Sequence, residues 1–245
     1  MKLFIVLAFL LFPFQNEVKK IEFSSVDGIQ ITADIYTPHD QSAPFIILFH
    51  QAGWSRGAYL EIAPKLNARG FNCMAVDLRS GGSVNGVDNE THKRAMVEGL
   101  PTKYINAYQD IEAAIAYARE SLAKGKIIIW GSSYSSSLVI EYAGEHRDVD
   151  GVLSFSPGEY FTGQGKSNTF ITNAAAKIQV PVFITSAKGE KQSWFEIYDA
   201  IPAVQKTYFL PETEGNHGSR ALWDKFEDSD DYWNAVDDFL KENFL

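Results

Sequence analysis

The residues best suited to chemistry lie in one turn near the middle of the chain. Residues 126–144 read KIIIWGSSYSSSLVIEYAG. Residues 127–130 are apolar and mostly β-branched, which is typical of a strand buried on both faces, and from Tyr134 onward apolar residues recur at helical spacing. Residues 131–135 therefore form a sharp turn between strand and helix. Such a turn exposes a strained serine hydroxyl and directs the first N–H groups of the helix at the group that it attacks, so this stretch predicts a nucleophilic serine.

The turn resembles the nucleophile elbow of the α/β-hydrolase superfamily, which reads Gly-x-Ser-x-Gly. Gly131 and Ser133 match this pattern, and Ser135 replaces the second glycine, where helix and strand pass so closely that a small side chain is needed. Only Ser133 has a glycine two residues before it, so we interpret Ser133 as the nucleophile. The alternative is a glycine- and serine-rich turn without chemistry, and the rest of the chain must decide between the two.

A serine hydroxyl is a weak nucleophile that needs a base, and the base needs an acid to orient it and to stabilise its charged form. In the superfamily the order along the chain is serine, acid, histidine. The histidines downstream of Ser133 are His146 and His217. His146 follows the elbow helix, far from the elbow itself, whereas His217 follows the last predicted strand and has glycines on both sides. The resemblance therefore implies that His217 is the base.

The acid is expected in the loop after the predicted strand 181–186. In the superfamily this stretch often has an aspartate nine positions after its proline, and Glu190 occupies that position here. Glutamate can replace aspartate in this role. The alternative is that Glu190 is one of three charges in a solvated turn, together with Lys188 and Lys191. Asp199, inside the following predicted helix, is the fallback for the acid.

Two N–H groups are expected to bind the negatively charged oxygen of a tetrahedral intermediate. The resemblance places one of them at Tyr134, directly after the nucleophile. The other belongs to the loop after the predicted strand 44–49, where the superfamily has His-Gly-x and the third residue donates. This chain has His50-Gln51-Ala52, so Ala52 is the expected donor, and the backbone N–H or side-chain amide of Gln51 is the alternative. His50 is expected to anchor the loop.

The remaining sequence predicts the elements that position these residues. Two strand-like runs joined by Asp27-Gly28 predict a hairpin, and alternating strands and helices follow it. The predicted strands are 20–25, 29–36, 44–49, 71–78, 127–130, 149–154, 181–186 and 207–210. The predicted helices are 56–69, 106–123, the elbow helix from Tyr134, 167–177, 194–204 and 230–244. This pattern predicts an α/β fold: a mostly parallel twisted sheet with an N-terminal antiparallel hairpin and helices on both faces.

The candidate site residues all follow predicted strands, and ligands of such sheets bind at the carboxyl ends of the strands. Two further expectations concern this framework. Apolar residues alternate with polar ones over 29–36, which predicts a half-exposed antiparallel edge strand. Residues 80–102 are polar and glycine-rich without a clear period, which predicts a long loop that partly covers the site.

Composition narrows the possible functions. The chain has 245 residues, a formal net charge of −9 and a single cysteine, Cys73. Its size fits one domain, which we place at residues 16–245. The negative charge argues against a nucleic-acid partner, and one cysteine excludes an internal disulfide and a cysteine-rich metal site. No pattern marks a phosphate, nucleotide or metal site, so no cofactor is expected.

The N-terminal residues predict export. Lys2 precedes ten consecutive apolar residues, 3–12, as in the charged region and short apolar core of a secretory signal peptide. We therefore predict a signal peptide over residues 1–15 and a periplasmic or secreted protein. The alternatives are an uncleaved segment that tethers the protein to a membrane and a buried first strand.

The resemblance implies hydrolysis of a small carboxylic ester or related acyl compound. About ten residues separate Ser156 from the predicted helix 167–177, which leaves little room for a cap domain, and compact dienelactone-hydrolase-like and small esterase-like members are similar in this respect. The aromatic residues Trp54, Tyr160 and Trp194 are candidates for an apolar acyl pocket, with core packing as the alternative. The expected partner is a small acyl substrate. The rival functions are a peptidase or amidase that uses the same triad and a binding protein without catalysis.

Overall fold

The structure is a computed structural model that describes residues 18–245. Within that range the strands are β1 (Lys19–Ser24), β2 (Gln30–Tyr36), β3 (Phe45–Phe49), β4 (Asn72–Val76), β5 (Ser83–Val84), β6 (Val87–Asp88), β7 (Ile127–Ser132), β8 (Gly151–Phe155), β9 (Val182–Thr185) and β10 (Lys206–Phe209). The α-helices are α1 (Ile62–Asn67), α2 (Glu90–Val97), α3 (Tyr108–Tyr117), α4 (Tyr134–Glu145), α5 (Phe170–Ala175), α6 (Lys191–Ala200) and α7 (Ser229–Phe244).

Eight strands form one sheet in the order β1-β2-β4-β3-β7-β8-β9-β10. β1 pairs with β2 and β2 with β4 in antiparallel orientation, and the other neighbours are parallel. The predicted fold class, including the N-terminal hairpin, is therefore confirmed. The strand β7 lies at the centre of the sheet, and all its residues are buried, as its unbroken apolar run predicts.

A hydrophobic core fills each face of the sheet, and the period of two along a strand divides the side chains between them. On β7, Ile127 and Ile129 join the core under α3, α4, α5 and α6, whereas Ile128 and Trp130 join the core under α1 and α7. Each fully buried isoleucine contributes about 1.5–3 kcal/mol relative to an exposed one. Because helices hold the sheet from both faces, the loops at the carboxyl ends of the strands rest on a rigid support.

The structure corrects the expectation of a half-exposed edge over residues 29–36. Six of the seven residues of β2 are buried, because β1 forms the actual edge and α2 packs against β2. The polar residues Thr32 and Asp34 of β2 have partners. The Thr32 hydroxyl accepts a hydrogen bond from Arg94 of α2 at 2.8 Å, and Asp34 forms an ion pair with Arg56 at 3.0 Å. Buried polar groups with partners produce the same alternation as a solvated strand face.

The expectation of a long loop over residues 80–102 is also wrong. This stretch contains the short β5–β6 hairpin and the helix α2. Asn89 caps α2 by accepting a hydrogen bond from the His92 N–H at 2.7 Å, and the Glu90 N–H donates to the Asp77 carboxylate at 2.8 Å. Two-residue strands have no readable period, and α2 is predominantly polar, so pattern alone does not detect them.

Several helix boundaries differ from the sequence prediction. The predicted helix 56–69 consists of a 3₁₀ turn, Arg56–Tyr59, followed by the shorter α1. The predicted helix 106–123 begins with a 3₁₀ turn and ends in the π-helical segment Ala118–Leu122 around α3. Helix α5 is shorter than the predicted helix 167–177, and α6 begins and ends a few residues before the predicted helix 194–204. Helix ends depend on tertiary contacts as well as on sequence, so shifts of this size are ordinary.

Among residues 18–245, no helix combines the length and the apolar character that crossing a bilayer requires. The predicted signal peptide or membrane anchor over residues 1–15 lies outside the described residues. Export therefore stays a prediction from the sequence.

Candidate active site

The turn between β7 and α4 has the geometry of a strained elbow. Ser133 adopts φ +59° and ψ −126°, a region that non-glycine residues avoid and that costs about 1–3 kcal/mol. Of the five serines in residues 132–137, only Ser133 is partly exposed, and the other four are buried. The elbow therefore presents one serine to solvent, the one that the sequence pattern singles out.

The departure of the elbow from the Gly-x-Ser-x-Gly pattern has a structural explanation. Ser135 Oγ accepts a hydrogen bond from the Ser132 N–H at 2.9 Å and donates to the Phe49 carbonyl at 2.8 Å. It thereby ties the end of β3 to the elbow. At Gly131 an added Cβ would lie 2.4 Å from Ser135 O, so the close approach of strand and helix requires glycine at the first position. The second position accepts a serine because its hydroxyl has partners.

Replacing Ser135 with glycine would restore the pattern of the superfamily, yet we expect it to destabilise the protein. The Ser132 N–H and the Phe49 carbonyl would lose their buried partner, at about 1–3 kcal/mol, and glycine would weaken the first turn of α4. Urea denaturation followed by circular dichroism measures the free energy of unfolding. The exposed Ser167→Gly is the control, with an expected change below about 0.5 kcal/mol. A Ser135→Gly variant as stable as the native protein would contradict this role for the hydroxyl.

Glu190 and His217 come together from different loops. Glu190 ends a 3₁₀ turn between β9 and α6, and His217 lies in the loop after β10. Glu190 Oε1 is 2.6 Å from His217 Nδ1. When Nδ1–H donates this hydrogen bond, Nε2 carries the lone pair and can accept a proton, which is the tautomer that a general base needs. Asp199, the fallback acid, lies exposed on α6.

The surroundings of Glu190 favour its charged form. Partial burial raises the pKa of Glu190, but hydrogen bonds from His217 and Ser156 act in the opposite direction, and its pKa is lowered overall. Ser156 Oγ donates to Glu190 Oε2 at 2.6 Å and accepts a hydrogen bond from the Gly218 N–H at 2.8 Å. The sequence patterns do not single out Ser156. In the sequence Ser156 is marked only by its position after a strand, and the other candidates also lie after strands.

The loop that carries His217 is attached to the elbow. The Ser219 N–H donates to Ser132 Oγ at 2.9 Å, and Ser219 Oγ accepts from the indole N–H of Trp130 at 2.8 Å. Gly218 has φ +72°, and a Cβ there would lie 2.5 Å from Ser132 Oγ. Glycine after His217 is therefore required both by the backbone and by the space. These contacts bring the loop of His217 against the neighbour of Ser133.

The loop after β3 carries the candidate oxyanion donors. His50 is buried, its Nδ1–H donates to the Gln51 carbonyl at 2.8 Å, and its Nε2 accepts from the Leu78 N–H at 2.9 Å. Burial lowers the pKa of His50 to about 4, so it stays neutral and anchors the loop, as expected. Ala52 and Gln51 are partly exposed. The Gln51 side-chain oxygen is buried, has no hydrogen-bond partner within residues 18–245, and lies beside Gly218.

Tyr134 occupies the first position of α4, where its backbone N–H is one of the N-terminal donors of a 12-residue helix. Its ring is buried and stacks on Tyr104 with 4.7 Å between centroids. Its hydroxyl donates to the Ser80 carbonyl at 3.4 Å. These contacts hold the start of the helix in place, so the N–H direction is set before any substrate binds.

The three candidate pocket residues have different surroundings. Tyr160 is half-buried, its hydroxyl donates to the Ser156 carbonyl at 2.7 Å, and burial raises its pKa to about 12. Trp54 is partly exposed and stacks on Trp223. The expectation for Trp194 is wrong, because Trp194 is fully buried and its indole N–H donates to Ser186 at 2.8 Å. It packs in the core and cannot line an open pocket.

His146, the other histidine downstream of the elbow, has a packing role at the far end of α4. It stacks on Tyr142 with 4.2 Å between centroids, and its Nε2 lies 3.2 Å from the Tyr108 hydroxyl. Over the part of the chain that the structure describes, no group of three or more His, Cys, Asp or Glu side chains is arranged to hold a metal ion.

Comparisons with known proteins identify the family and the fold of the chain. The family model of serine aminopeptidases, S33, matches residues 40–178, which is more than half of the chain. A curated relative, the quorum-quenching protein AidA of Acinetobacter baumannii, is 28% identical over 141 residues, or 56% of this chain and 43% of the relative. The match thus spans less than half the length of that relative.

Solved structures show the same fold. The esterase Pf2001 of Pyrococcus furiosus superposes with a TM-score of 0.72 at 17% identity over 94% of this chain and 93% of that chain. The dienelactone hydrolase of Anabaena variabilis has a TM-score of 0.72 at 11% identity over 94% of this chain and 99% of that chain. At these identities the likeness concerns the fold alone. Together with the match of the family model, it places the chain in the α/β-hydrolase superfamily, as a member of the serine aminopeptidase (S33) family.

Proposed function

We propose that this α/β-hydrolase is a serine hydrolase that cleaves a small carboxylic ester through an acyl-serine intermediate. The observation that carries the proposal is the 2.6 Å contact between Glu190 and His217. Their loops are separate in sequence, and the His217 loop is hydrogen-bonded to the elbow. The elbow holds Ser133 in a strained, solvent-accessible conformation. A nucleophile, a base and an orienting acid, each after the carboxyl end of a strand of the same sheet, are the parts that acyl transfer requires.

In the proposed reaction Ser133 Oγ attacks the carbonyl carbon of the ester while His217 Nε2 takes the hydroxyl proton. Glu190 stabilises the imidazolium that forms. The N–H groups of Tyr134 and Ala52, with Gln51 as the alternative donor, bind the carbonyl oxygen as it becomes negatively charged. The carbon–oxygen bond to the alcohol then breaks, and His217 gives its proton to the leaving alkoxide.

The second half repeats these roles with water. A water molecule gives a proton to His217 and attacks the acyl carbon, and collapse of the second tetrahedral intermediate releases the carboxylic acid. The proton returns to Ser133, so the enzyme is unchanged after one turnover. Apart from the ester, water is the only reactant in this scheme, so the proposal involves no cofactor.

Two rival functions have specific support. A peptidase or amidase would use the same residues, and the family model is that of serine aminopeptidases. A binding protein without catalysis is favoured by Gln51, which stands where the superfamily has glycine and whose amide oxygen is buried beside the His217 loop. The ester proposal is supported by the overlays with an esterase and a dienelactone hydrolase, each of which covers 94% of this chain.

A panel of p-nitrophenyl esters and aminoacyl p-nitroanilides separates these functions. We expect turnover of short-chain esters with kcat/KM at least about 100-fold above that of the anilides, because an amide is the less reactive acyl group. Pretreatment with phenylmethylsulfonyl fluoride should abolish the turnover. Faster anilide turnover would assign an amidase, and a folded protein without turnover of either series would favour the binding protein.

A further inference from the structure

Two serines at the ends of neighbouring strands share a positive φ, which is unusual for a residue other than glycine. Ser133 follows β7, and Ser156 follows β8 with φ +60°. Ser156 is 1% exposed, so it cannot act as a nucleophile on a substrate from solvent. A serine in the left-handed region costs energy that glycine would avoid. The backbone strain therefore accompanies a buried hydroxyl group that glycine at this position would lack.

The Ser156 hydroxyl joins the acid to the loop of the base. Oγ donates to Glu190 Oε2 at 2.6 Å and accepts from the Gly218 N–H at 2.8 Å. Gly218 directly follows His217, whose Nδ1 contacts Glu190 Oε1 at 2.6 Å. These three hydrogen bonds close a ring through Ser156, Glu190 and the His217 loop. Each carboxylate oxygen of Glu190 thus has its own partner.

The backbone of Ser156 is itself fixed on both sides. Its N–H donates to the Thr185 carbonyl on β9 at 2.7 Å, and its carbonyl accepts from the Tyr160 hydroxyl at 2.7 Å. The hydroxyl is therefore a fixed point between the strand ends. This matters because a glutamate side chain has one more rotatable bond than an aspartate and needs an additional contact to hold its carboxylate in one orientation.

We propose that Ser156 is a positioning residue that holds the Glu190 carboxylate and the His217 loop in the relative positions that acyl transfer requires. The proposal rests on the proposed function, because it assigns Ser156 a role in that reaction. Ser156 does not contact substrate. It acts by holding the Glu190 carboxylate and the imidazole of His217 in one relative orientation, and a displacement of about 1 Å at such a site can cost about 100-fold in rate.

Two substitutions separate positioning from a structural role. Ser156→Ala removes the hydroxyl and keeps the backbone strain, whereas Ser156→Gly removes the hydroxyl and relieves the strain. We expect both to lower kcat for the preferred ester by about 10- to 100-fold with KM nearly unchanged. The matched control is Ser154→Ala, which removes a buried hydroxyl of β8 that donates to the Ser136 carbonyl and should keep kcat within about twofold.

A purely structural role predicts a different result. Activity would then follow stability, and Ser156→Gly would recover the rate that Ser156→Ala loses. That outcome, or a native kcat in both variants, would overturn the proposal. A double-mutant cycle gives a second criterion: in a Glu190→Gln background, Ser156→Ala should lower kcat by a smaller factor than in the native background, because one of the two contacts of its hydroxyl acts through Glu190. Full additivity of the two effects would also contradict it.

A measurement without substrate tests the role of Ser156 even where the native protein shows no ester turnover. Failure of the function means that the native protein neither hydrolyses esters nor reacts with a fluorophosphonate probe. The proton between His217 Nδ1 and Glu190 can still be observed by NMR as a downfield resonance, because short charge-assisted hydrogen bonds deshield it. We expect this resonance to shift upfield or vanish in Ser156→Gly and to persist in Ser154→Ala. An unchanged resonance in Ser156→Gly would overturn the positioning role.

Discussion

Replacing Ser133 with alanine is expected to lower ester turnover by about 10⁵-fold or more while the protein stays folded. Ser133 is the partly exposed serine of the elbow, and its neighbours have buried hydroxyls with structural partners. Without Ser133 Oγ no acyl-serine intermediate can form, so the residual rate reflects only attack by positioned water. The alanine variant keeps the backbone strain of the elbow, so its stability should change little.

A fluorophosphonate probe measures this directly, because it forms a covalent bond only with an activated serine. Labelling of the native protein should be complete, absent in Ser133→Ala and unaltered in the control Ser167→Ala, which removes an exposed serine outside the elbow. Ser133→Gly should be equally inactive but more stable by about 1 kcal/mol, because glycine relieves the strain at φ +59°. Labelling that survives in Ser133→Ala would assign the nucleophile to another serine.

Replacing Glu190 with glutamine is expected to lower kcat by about 10³- to 10⁴-fold. The amide is uncharged, so it cannot stabilise the imidazolium of His217, and when its NH₂ group faces His217 it favours the wrong tautomer. The variant also loses the charged acceptor of the Ser156 hydroxyl. We expect KM to change little, because Glu190 lies behind the histidine rather than against the substrate.

The matched comparison for Glu190 uses two other variants. Glu190→Asp keeps the charge but shortens the side chain by one methylene, so it cannot maintain both the His217 and the Ser156 contact, and an intermediate loss of rate is expected. Asp199→Asn removes an exposed carboxylate on α6 and should leave kcat unchanged. Native activity in Glu190→Gln together with inactivity in Asp199→Asn would transfer the acid role to Asp199.

The sequence predicted the features that depend on neighbours along the chain. Unbroken apolar runs such as residues 127–130 indicate buried strands, and their alternation with helical patterns indicates a parallel sheet covered on both faces. The elbow is local as well, because a few consecutive residues between strand and helix create it. The parallel pairing of the central strands and the strained φ of Ser133 agree with these predictions. The family resemblance then supplied the order of the candidate site residues.

Where the prediction failed, polar or aromatic residues had partners that local patterns do not show. The alternation in β2 is typical of a solvated face, but its polar residues Thr32 and Asp34 are buried and have partners in Arg94 and Arg56. Trp194 looked like a pocket residue because it follows a strand, but its indole packs in the core. Short elements such as β5 and β6 are too small to create a period at all.

The sequence by itself determined the fold class and the single elbow, since hydrophobic period and local turn geometry act over a few residues. Only the tertiary structure decided which polar side chains at the strand ends meet. Glu190 and His217 are 27 residues apart, and Ser156 is 34 residues from Glu190. Their contacts depend on how the carboxyl ends of the neighbouring strands β8, β9 and β10 are aligned in the sheet. Local sequence patterns do not predict that alignment.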